Sequence, residues 1–250
     1  MRKFLLLAAA GAALAFGSTA AIAAGPAISK AIADAVANPS RPPADTARDA
    51  DRKPAQVLAF AGVKPGQNIG ELIPGGGYYT RMLSGVVGPA GHVYALWPDG
   101  LAKARPQMVQ ASATIGVNVS VVTYTPGTLN APEKLDVVWT SENYHDFHNG
   151  PPGAPPADIT AFNKSVFDAL KPGGTFLIED HAAAAGATGV TNTLHRIDPA
   201  QVKAEVEAAG FKLVAESDVL KNPADTHLLP VFDASIKGHT DKLLFKFKKP

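Results

Sequence analysis

The sequence predicts an α/β fold with a seven-stranded, mostly parallel sheet that carries helices on both faces. Segments of strand composition alternate along the chain with segments whose apolar residues recur at helical spacing. A glycine run, Gly75–Gly77, separates the first strand from the helix that follows it. Near the C terminus, Leu243, Phe245 and Phe247 alternate with lysines, which predicts the last strand of an antiparallel hairpin with one solvent-facing side.

The composition of the chain excludes several classes of protein. Its 250 residues are enough for one α/β domain with short additions. Lys and Arg number 23 against 22 Asp and Glu, and this balance gives no basic field of the kind that nucleic-acid binding needs. The chain has no cysteine, which excludes disulfides, thiolate metal sites and cysteine nucleophiles.

The first residues have the pattern of a secretory signal peptide. Arg2 and Lys3 precede a continuous apolar run, Phe4–Phe16, and Ala21–Ala23 offers a small-residue cleavage site. The apolar run is too short to span a membrane. We therefore expect residues 1–23 to be removed, the mature chain to begin near Ala24, and the protein to be periplasmic or secreted without a membrane anchor.

An N-terminal arm is predicted over residues 24–53, ahead of the main domain at 54–250. Ala27–Asn38 is predicted to form an alanine-rich helix that packs loosely because it has little large apolar surface to bury. Ala44–Lys53 alternates acids and bases and is predicted to be a polar lead-in. Pro54 suits the first turn of a helix.

The first unit of the main domain is predicted to be strand, glycine loop, helix and strand. The first strand is the short apolar run Ile69–Ile73, and Gly75–Gly77 then allow a tight turn and a close approach to a ligand. The next helix has one apolar face, formed by Tyr79, Met82, Leu83 and Val86. Gly88–Gly91 ends that helix, and Val93–Trp97 is predicted to be the second strand.

Further strands and helices alternate to the end of the chain. Leu135–Thr140 is apolar throughout most of its length, which predicts a strand buried on both faces. Residues 150–156 are too rich in Pro and Gly for regular structure. One of the predicted helices has Asp198 as N-cap, Pro199 in its first turn, Gln201 as capping-box partner and Gly210 at its end. The other predicted elements are a helix at Leu101–Ala111, a helix capped by Asp158, and strands at Val117–Tyr124, Thr175–Glu179, Phe211–Glu216 and Lys242–Lys248.

One motif resembles a known family. The segment E-L-I-P-G-G-G-Y-Y-T, Glu71–Thr80, resembles the first motif of class I S-adenosylmethionine-dependent methyltransferases, an acid followed by three spaced glycines. Glu71 takes the acid position, and Gly75 and Gly77 take the second and third glycine positions. Ile73 replaces the first glycine, which departs from the pattern. The Tyr-Tyr-Thr variant is similar to that of protein-isoaspartate methyltransferases.

Other segments extend the resemblance to roughly Pro54–Lys249. Lys64–Gly66 before the first strand and Leu170–Gly174 before the fifth are similar to methyltransferase domains, and P-G-G-G-Y-Y-T, N-Y-H-D and E-D-H together resemble predicted methyltransferases of bacterial envelopes. The resemblance implies a Rossmann-like class I methyltransferase fold whose last strand is antiparallel. It also implies S-adenosylmethionine as cofactor and a small molecule as methyl acceptor.

The resemblance implies a set of cofactor-binding residues. The loop amides would face the methionine part, Glu71 would orient the loop or the amino group, and Trp97 could stack on an adenine. Trp97 takes the position where these enzymes usually carry an acid for the ribose, and an indole cannot replace a bidentate carboxylate, a role that Asp99, two residues on, could fill instead. The set is Glu71, Gly75, Gly76, Gly77, Tyr78, Thr80, Trp97 and Asp99. The alternatives are that Glu71 caps a turn and that Asp99 caps a helix.

Two polar clusters follow the fourth and fifth strands. Methyl transfer is an in-line displacement, so the protein mainly aligns the acceptor, and only a neutral acceptor needs a base. His145 or Asp146 could be that base, and Tyr144 could position the acceptor. The predicted catalytic residues are Tyr144, His145, Asp146, Asp180 and His181.

The same clusters allow two other interpretations. One is a polar network that only holds the loop. The other is a metal site, because six good ligands occur in this thiol-free chain: His145, Asp146, His148, Asp180, His181 and His195. We do not expect His92, His227 and His239 to join a site, and we predict that they are surface residues.

The predicted function is S-adenosylmethionine-dependent methyl transfer to a small molecule. S-adenosylmethionine is made in the cytoplasm, so an exported enzyme would need its own supply of the cofactor. Two alternatives therefore stay open, a non-methylating hydrolase or metal enzyme on the same scaffold and a small-molecule-binding protein. Cofactor binding distinguishes the first interpretation from both alternatives, and metal content distinguishes the alternatives from each other.

Overall fold

A computed structural model describes residues 26–125, 127–150 and 156–250. The predicted signal peptide, 1–23, lies outside the described residues, and so does most of the insert predicted over 150–156. Within the described part of the chain, no helix combines the length and the apolar character that a membrane span requires.

The described residues form one seven-stranded sheet in the order β3-β2-β1-β4-β5-β7-β6. The first five strands run parallel to one another, and β7 is antiparallel to both β5 and β6. This arrangement confirms the predicted mostly parallel sheet. The strands are β1 (Asn68–Leu72), β2 (His92–Pro98), β3 (Val119–Tyr124), β4 (Leu135–Ser141), β5 (Leu170–His181), β6 (Lys212–Glu216) and β7 (Lys242–Lys248).

Helices cover both faces of the sheet, as predicted. Asp158 accepts hydrogen bonds from the first turn of the helix that follows it, and Asp198 does so for the helix that begins at Pro199, which confirms both predicted N-caps. Gln201 bonds to Glu205 instead of closing a capping box, so that detail was wrong. The helices are α1 (Lys30–Val36), α2 (Pro43–Thr46), α3 (Asp49–Arg52), α4 (Pro54–Ala61), α5 (Tyr78–Val87), α6 (Asp99–Ala104), α7 (Pro106–Ala113), α8 (Ile159–Ala169) and α9 (Pro199–Ala208).

Each face of the sheet has its own apolar core. Alternate residues of a strand point to opposite faces, so Trp139 packs with α4 and α5 while its neighbour Val138 packs with α8 and α9. Strand β4 is buried on both faces, which confirms the interpretation of its composition. Because β4 is held on both faces, it fixes the position of the loop that follows Ser141.

Two predicted elements differ in the structure. The single helix expected over Leu101–Ala111 is two helices, α6 and α7, which meet at Arg105. A proline disfavours helical geometry in the residue before it, and Arg105 precedes Pro106 with φ −133° and ψ 54°. Strand β7 forms the predicted antiparallel pair with β6 at the edge of the sheet, but its expected solvent-facing side includes the buried Lys242.

The N-terminal arm packs closely on the domain, so the expectation of loose packing was wrong. Ile32 and Ala35 of α1 are buried against α5. Small side chains allow the close approach, since a Cβ placed on Gly85 would stand only 3.1 Å from the Cβ of Ala35. The predicted polar lead-in forms α2 and α3 and brings charged side chains to the end of the sheet.

The sheet register brings the ends of the central strands together. Leu72 of β1 pairs with Thr140 of β4, and Ser141 pairs with Glu179 of β5. The residues that follow these positions therefore meet at the carboxyl edge, where open α/β sheets build their binding sites.

Candidate active site

A cavity of about 220 Å³ opens at the carboxyl edge of the sheet. The glycine loop forms one side, the residues after β4 form another, and the arm closes over it. Its lining includes Arg48, Arg52, Glu71, Gly75, Gly76 and Glu142. Of the predicted cofactor residues, Tyr78 also faces this space, whereas Trp97 and Asp99 do not line it.

The glycine loop exposes its backbone to the cavity. A Cβ added to Gly75 or Gly76 would meet no atom within 4 Å, so a ligand can approach this backbone closely. Gly77 has a different role, because its Cβ would stand 2.4 Å from Cδ1 of Ile115. Gly75 and Gly77 have φ of 57° and 79°, the region that favours glycine.

Ile73 adopts a backbone conformation that is unusual for its type. Its φ is 48°, in the left-handed region, where a β-branched residue is a clear outlier. Its amide donates to the carbonyl of Leu96 at 2.9 Å, which ties this strained turn to β2. The position that departs from the glycine pattern thus has a backbone geometry suited to glycine, and such strain clusters at functional sites.

Glu71 is a buried carboxyl beside the cavity. Thr80 donates its hydroxyl hydrogen to Oε2 of Glu71 at 2.6 Å. Burial raises the pKa of Glu71 from 4.5 to about 7, against the opposing effects of the Thr80 hydrogen bond and the Arg81 charge. Glu71 and Thr80, both members of the predicted cofactor-binding set, are therefore in direct contact.

The arm supplies cationic groups that the sequence interpretation missed. The Tyr78 hydroxyl donates to Asp49 at 2.7 Å, which ties the glycine loop helix to α3. The guanidinium carbons of Arg48 and Arg52 lie 4.7 and 4.9 Å from the centre of the Tyr78 ring. Arg52 also forms an ion pair with Glu142. These cations could not be found from the motif because they precede Glu71 by 23 and 19 residues.

Two carboxylates after β4 and at the end of β5 share a buried lysine. Lys242 Nζ lies 2.9 Å from Glu142 and 3.8 Å from Glu179, and the Tyr79 hydroxyl donates to Glu179 at 3.0 Å. Burial raises the pKa of Glu179 above its usual range. Burial acts in the same direction on Glu142, but Lys242 and Arg52 hold the pKa of that carboxyl well below its usual range. The pKa values of these two neighbouring acids are therefore shifted in opposite directions.

A second cluster lies next to this group. Asp180 accepts one hydrogen bond from the amide of His145 at 2.7 Å and another from Nδ1 of its ring at 2.8 Å. Nε2 of His145 is 3.2 Å from Nδ1 of His195 and 3.3 Å from Oδ1 of Asp146. Burial opposes protonation, but Asp180 and Asp146 raise the pKa of His145 to about 10.

The remaining members of the predicted catalytic set are engaged elsewhere. Tyr144 is fully buried, donates to Glu205 at 3.1 Å and accepts from Asn163 at 2.8 Å. His181 contacts the hydroxyl of Thr240 at 2.7 Å, and burial lowers the pKa of His181 to about 4.

Three other predictions concerned Trp97, Asp99 and the histidines expected at the surface. Trp97 is fully enclosed in the core, so its ring has no face for an adenine. Asp99 accepts a hydrogen bond from Thr125 at 2.8 Å in the first turn of α6. Among the histidines expected at the surface, only His239 is exposed. The other two are half-buried: His92 contacts Ser120 and His227 contacts Asp241.

Comparison with known proteins supports the fold. No family model matches the chain, and no curated protein matches it. Among solved structures, a SAM-dependent methyltransferase from Aquifex aeolicus is similar at a TM-score of 0.54 and 17% identity, with 78% of this chain and 88% of that chain covered. The glycopeptide N-methyltransferase MtfA complexed with S-adenosyl-L-methionine is similar at 0.52 and 18%, with 78% and 86% covered. The chain therefore has the fold of S-adenosylmethionine-dependent methyltransferases.

Proposed function

We propose that the protein is an S-adenosylmethionine-dependent methyltransferase that acts on a small molecule. The observation that carries this proposal is the open backbone of Gly75 and Gly76 at the carboxyl edge of a methyltransferase fold. A glycine loop at that edge suits a ligand that must approach the main chain. The solved methyltransferases named above support the fold part of this inference.

The cavity residues fit the methionine half of the cofactor. That half carries a carboxylate, an ammonium and a sulfonium, and the cavity offers groups of both signs. Arg48 and Arg52 would hold the carboxylate, and the carboxyl of Glu71 would hold the ammonium. When bound, the cofactor supplies an activated methyl group.

The fit for the adenosine half is less complete. The cavity of about 220 Å³ is below the range of roughly 300–1,000 Å³ that drug-sized ligands fill. We leave Trp97 out of the proposed site because it is fully enclosed. Asp99 stands at the end of β2 and would have to exchange its Thr125 hydrogen bond for a ribose hydroxyl.

The acceptor side would be formed by the polar residues after β4 and at the end of β5. In an in-line transfer these residues align the acceptor with the methyl group. Asn143 lines the cavity and is held by the carbonyl of Ser141 at 2.6 Å. Asp180 and His181 would stand behind it, and Tyr144 would support the loop from inside the core.

Cofactor binding tests the proposed function. Calorimetric titration with S-adenosylmethionine or its demethylated product should show binding to the wild type. Gly75→Val should weaken it at least about tenfold, which corresponds to about 1.4 kcal/mol, because the side chain would occupy the cavity. No binding to the wild type at millimolar ligand would contradict the proposal.

Gly173→Val is the matched control. Gly173 has φ 74° and open space at its Cβ, so it carries the same kind of backbone strain as Gly75 at φ 57°. It lies near the start of β5, at the other edge of the sheet, and does not line the cavity. Affinity close to wild type in Gly173→Val, with the expected loss in Gly75→Val, assigns the effect to the loop. Gly77→Val is unsuitable since it would also clash with Ile115.

A metal enzyme on the same scaffold is the second candidate function. It is favoured by one observation, the convergence of His145, Asp146 and His195. Cofactor titration separates the two candidates.

A further inference from the structure

We propose that His145, Asp146 and His195 bind one divalent transition-metal ion, for which zinc is the best match. Their candidate ligand atoms all lie within 4.8 Å of one another. The inference does not depend on methyl transfer, because it rests on ligand geometry alone. It assigns a binding role to residues that the cofactor cavity does not use.

The distances between the ligand atoms match a four-coordinate ion. Nε2 of His145 lies 3.2 Å from Nδ1 of His195 and 3.3 Å from Oδ1 of Asp146, and the last two atoms are 3.6 Å apart. Ligands bound at about 2.0–2.1 Å to a tetrahedral ion stand about 3.3–3.4 Å from each other. The three atoms therefore need almost no rearrangement to share one ion.

The hydrogen-bond pattern leaves one nitrogen of His145 to face the other two candidate ligands. Nδ1 of His145 donates to Asp180, so Nε2 is the ring atom that would bind an ion. Nε2 faces a carboxylate oxygen and a second imidazole nitrogen. An ion bound there would displace the proton from Nε2, as metal binding to histidine does, and would then contact all three atoms.

Asp180 completes the arrangement as an outer partner. Metal-bound histidines almost always donate their other ring N–H to a carboxylate, a backbone carbonyl or water, which fixes the tautomer and the ring orientation. Asp180 is fully buried and holds both the ring and the amide of His145. This contact positions His145 before any ion binds.

His195 is also held in place by its surroundings. Its φ is 53°, a left-handed conformation, and hydrogen bonds of both neighbouring residues fix the turn: Val231 N to Leu194 O at 3.1 Å, and Arg196 to the buried Asp225 at 2.8 Å. The ring of Phe232 lies 4.8 Å from the His195 ring, centre to centre. Strain of this kind in a histidine turn suits a functional role.

The site would keep a coordination position open. Asp146 and His195 have side chains that are 43% and 30% exposed, so water or an oxygen-bearing small molecule can reach the ion. Three protein ligands with one open position are typical of catalytic rather than structural zinc. The other predicted ligands are engaged elsewhere, His148 with Glu205 and His181 with Thr240.

Zinc titration tests the site on the mature protein without the methyl donor. Protein stripped with a chelator should bind one equivalent of Zn²⁺ in competition with a chromophoric chelator. His195→Asn and Asp146→Asn should each lower the zinc affinity by more than about tenfold. Asn tolerates the left-handed backbone at 195, and the change at 146 keeps the shape of a half-exposed side chain, so at least one variant should remain folded.

His227→Asn is the matched control. His227 also has a left-handed backbone, φ 62°, and its half-buried ring lies 3.0 Å from the carboxylate of Asp241. It should retain wild-type zinc affinity. Absence of zinc binding by the wild type would overturn the proposal. So would wild-type affinity in the folded Asp146→Asn and His195→Asn variants, since the zinc would then be adventitious.

Discussion

At the scale of single residues, the protonation of Glu71 should change the free energy of unfolding measurably with pH. Its pKa is raised from 4.5 to about 7 by burial. The folded state therefore binds more protons than the unfolded state between these two pH values. Where the folded state binds more protons, stability falls as the pH rises. The wild type should lose stability through this interval, and the loss should be complete above pH 7.

Replacing Glu71 with Gln should remove this loss. Glu71→Gln keeps an oxygen that can accept from Thr80 but has no charge to bury. Its free energy of unfolding should exceed that of the wild type by up to about 3 kcal/mol at pH 8, and the difference should vanish near pH 4.5. Urea unfolding at both pH values measures it.

The exposed Glu207 provides the control for this experiment. Glu207→Gln lies on the solvent side of α9 and should change the free energy of unfolding by less than about 0.5 kcal/mol at either pH. If Glu71→Gln gave no advantage at pH 8, the burial effect on Glu71 would be refuted.

At the scale of elements, a half-buried ion pair within the arm is tied to the domain by a hydrogen bond from Tyr78. Arg41 is buried and donates to both carboxylate oxygens of Asp49 at 2.7 Å, and Asp49 also accepts from Tyr78 of α5. These bonds connect the arm to the helix that follows the glycine loop. Arm and cavity should therefore respond together when the pair is broken.

Asp49→Asn tests this connection. It leaves the charge of Arg41 buried and unpaired, so the free energy of unfolding should fall by about 1–3 kcal/mol. Asp34→Asn is the control in the same arm, because the Lys30–Asp34 pair is exposed at 88% and 61% and should contribute less than about 1 kcal/mol. Equal effects of the two changes, measured by urea unfolding, would show that the arm does not depend on Asp49.

At the scale of the whole molecule, we propose that the protein is exported and loses residues 1–23. The basic start, the apolar run and the small-residue site support this proposal. The N terminus of the protein purified from its native host should begin near Ala24, in a periplasmic or secreted fraction. Amino-terminal sequencing of each cell fraction provides the measurement. A soluble cytosolic protein with Met1 intact would be inconsistent with export.

Much of the fold follows from local physical rules that the sequence displays directly. Apolar spacing of two or 3.6 residues separates strands from helices, and Asp158 and Asp198 mark helix starts because their side chains can accept from free amides. The run Gly75–Gly77 locates the loop at the carboxyl edge, since only glycine combines these turns with an open backbone. Each of these signals lies within a few residues of the feature it predicts.

The tertiary structure alone decided which distant side chains meet. His195 lies 50 residues from His145, and Arg52 lies 90 residues from Glu142, so no spacing rule links either pair. Burial also differs from what the local pattern predicts. The alternation in β7 predicts a solvent-facing Lys242, but this lysine lies between two carboxylates. Trp97 was predicted to contact a ligand, but it is enclosed in the core. Pairing across the sheet and packing of the helical arm set these contacts, and both join residues that lie far apart along the chain.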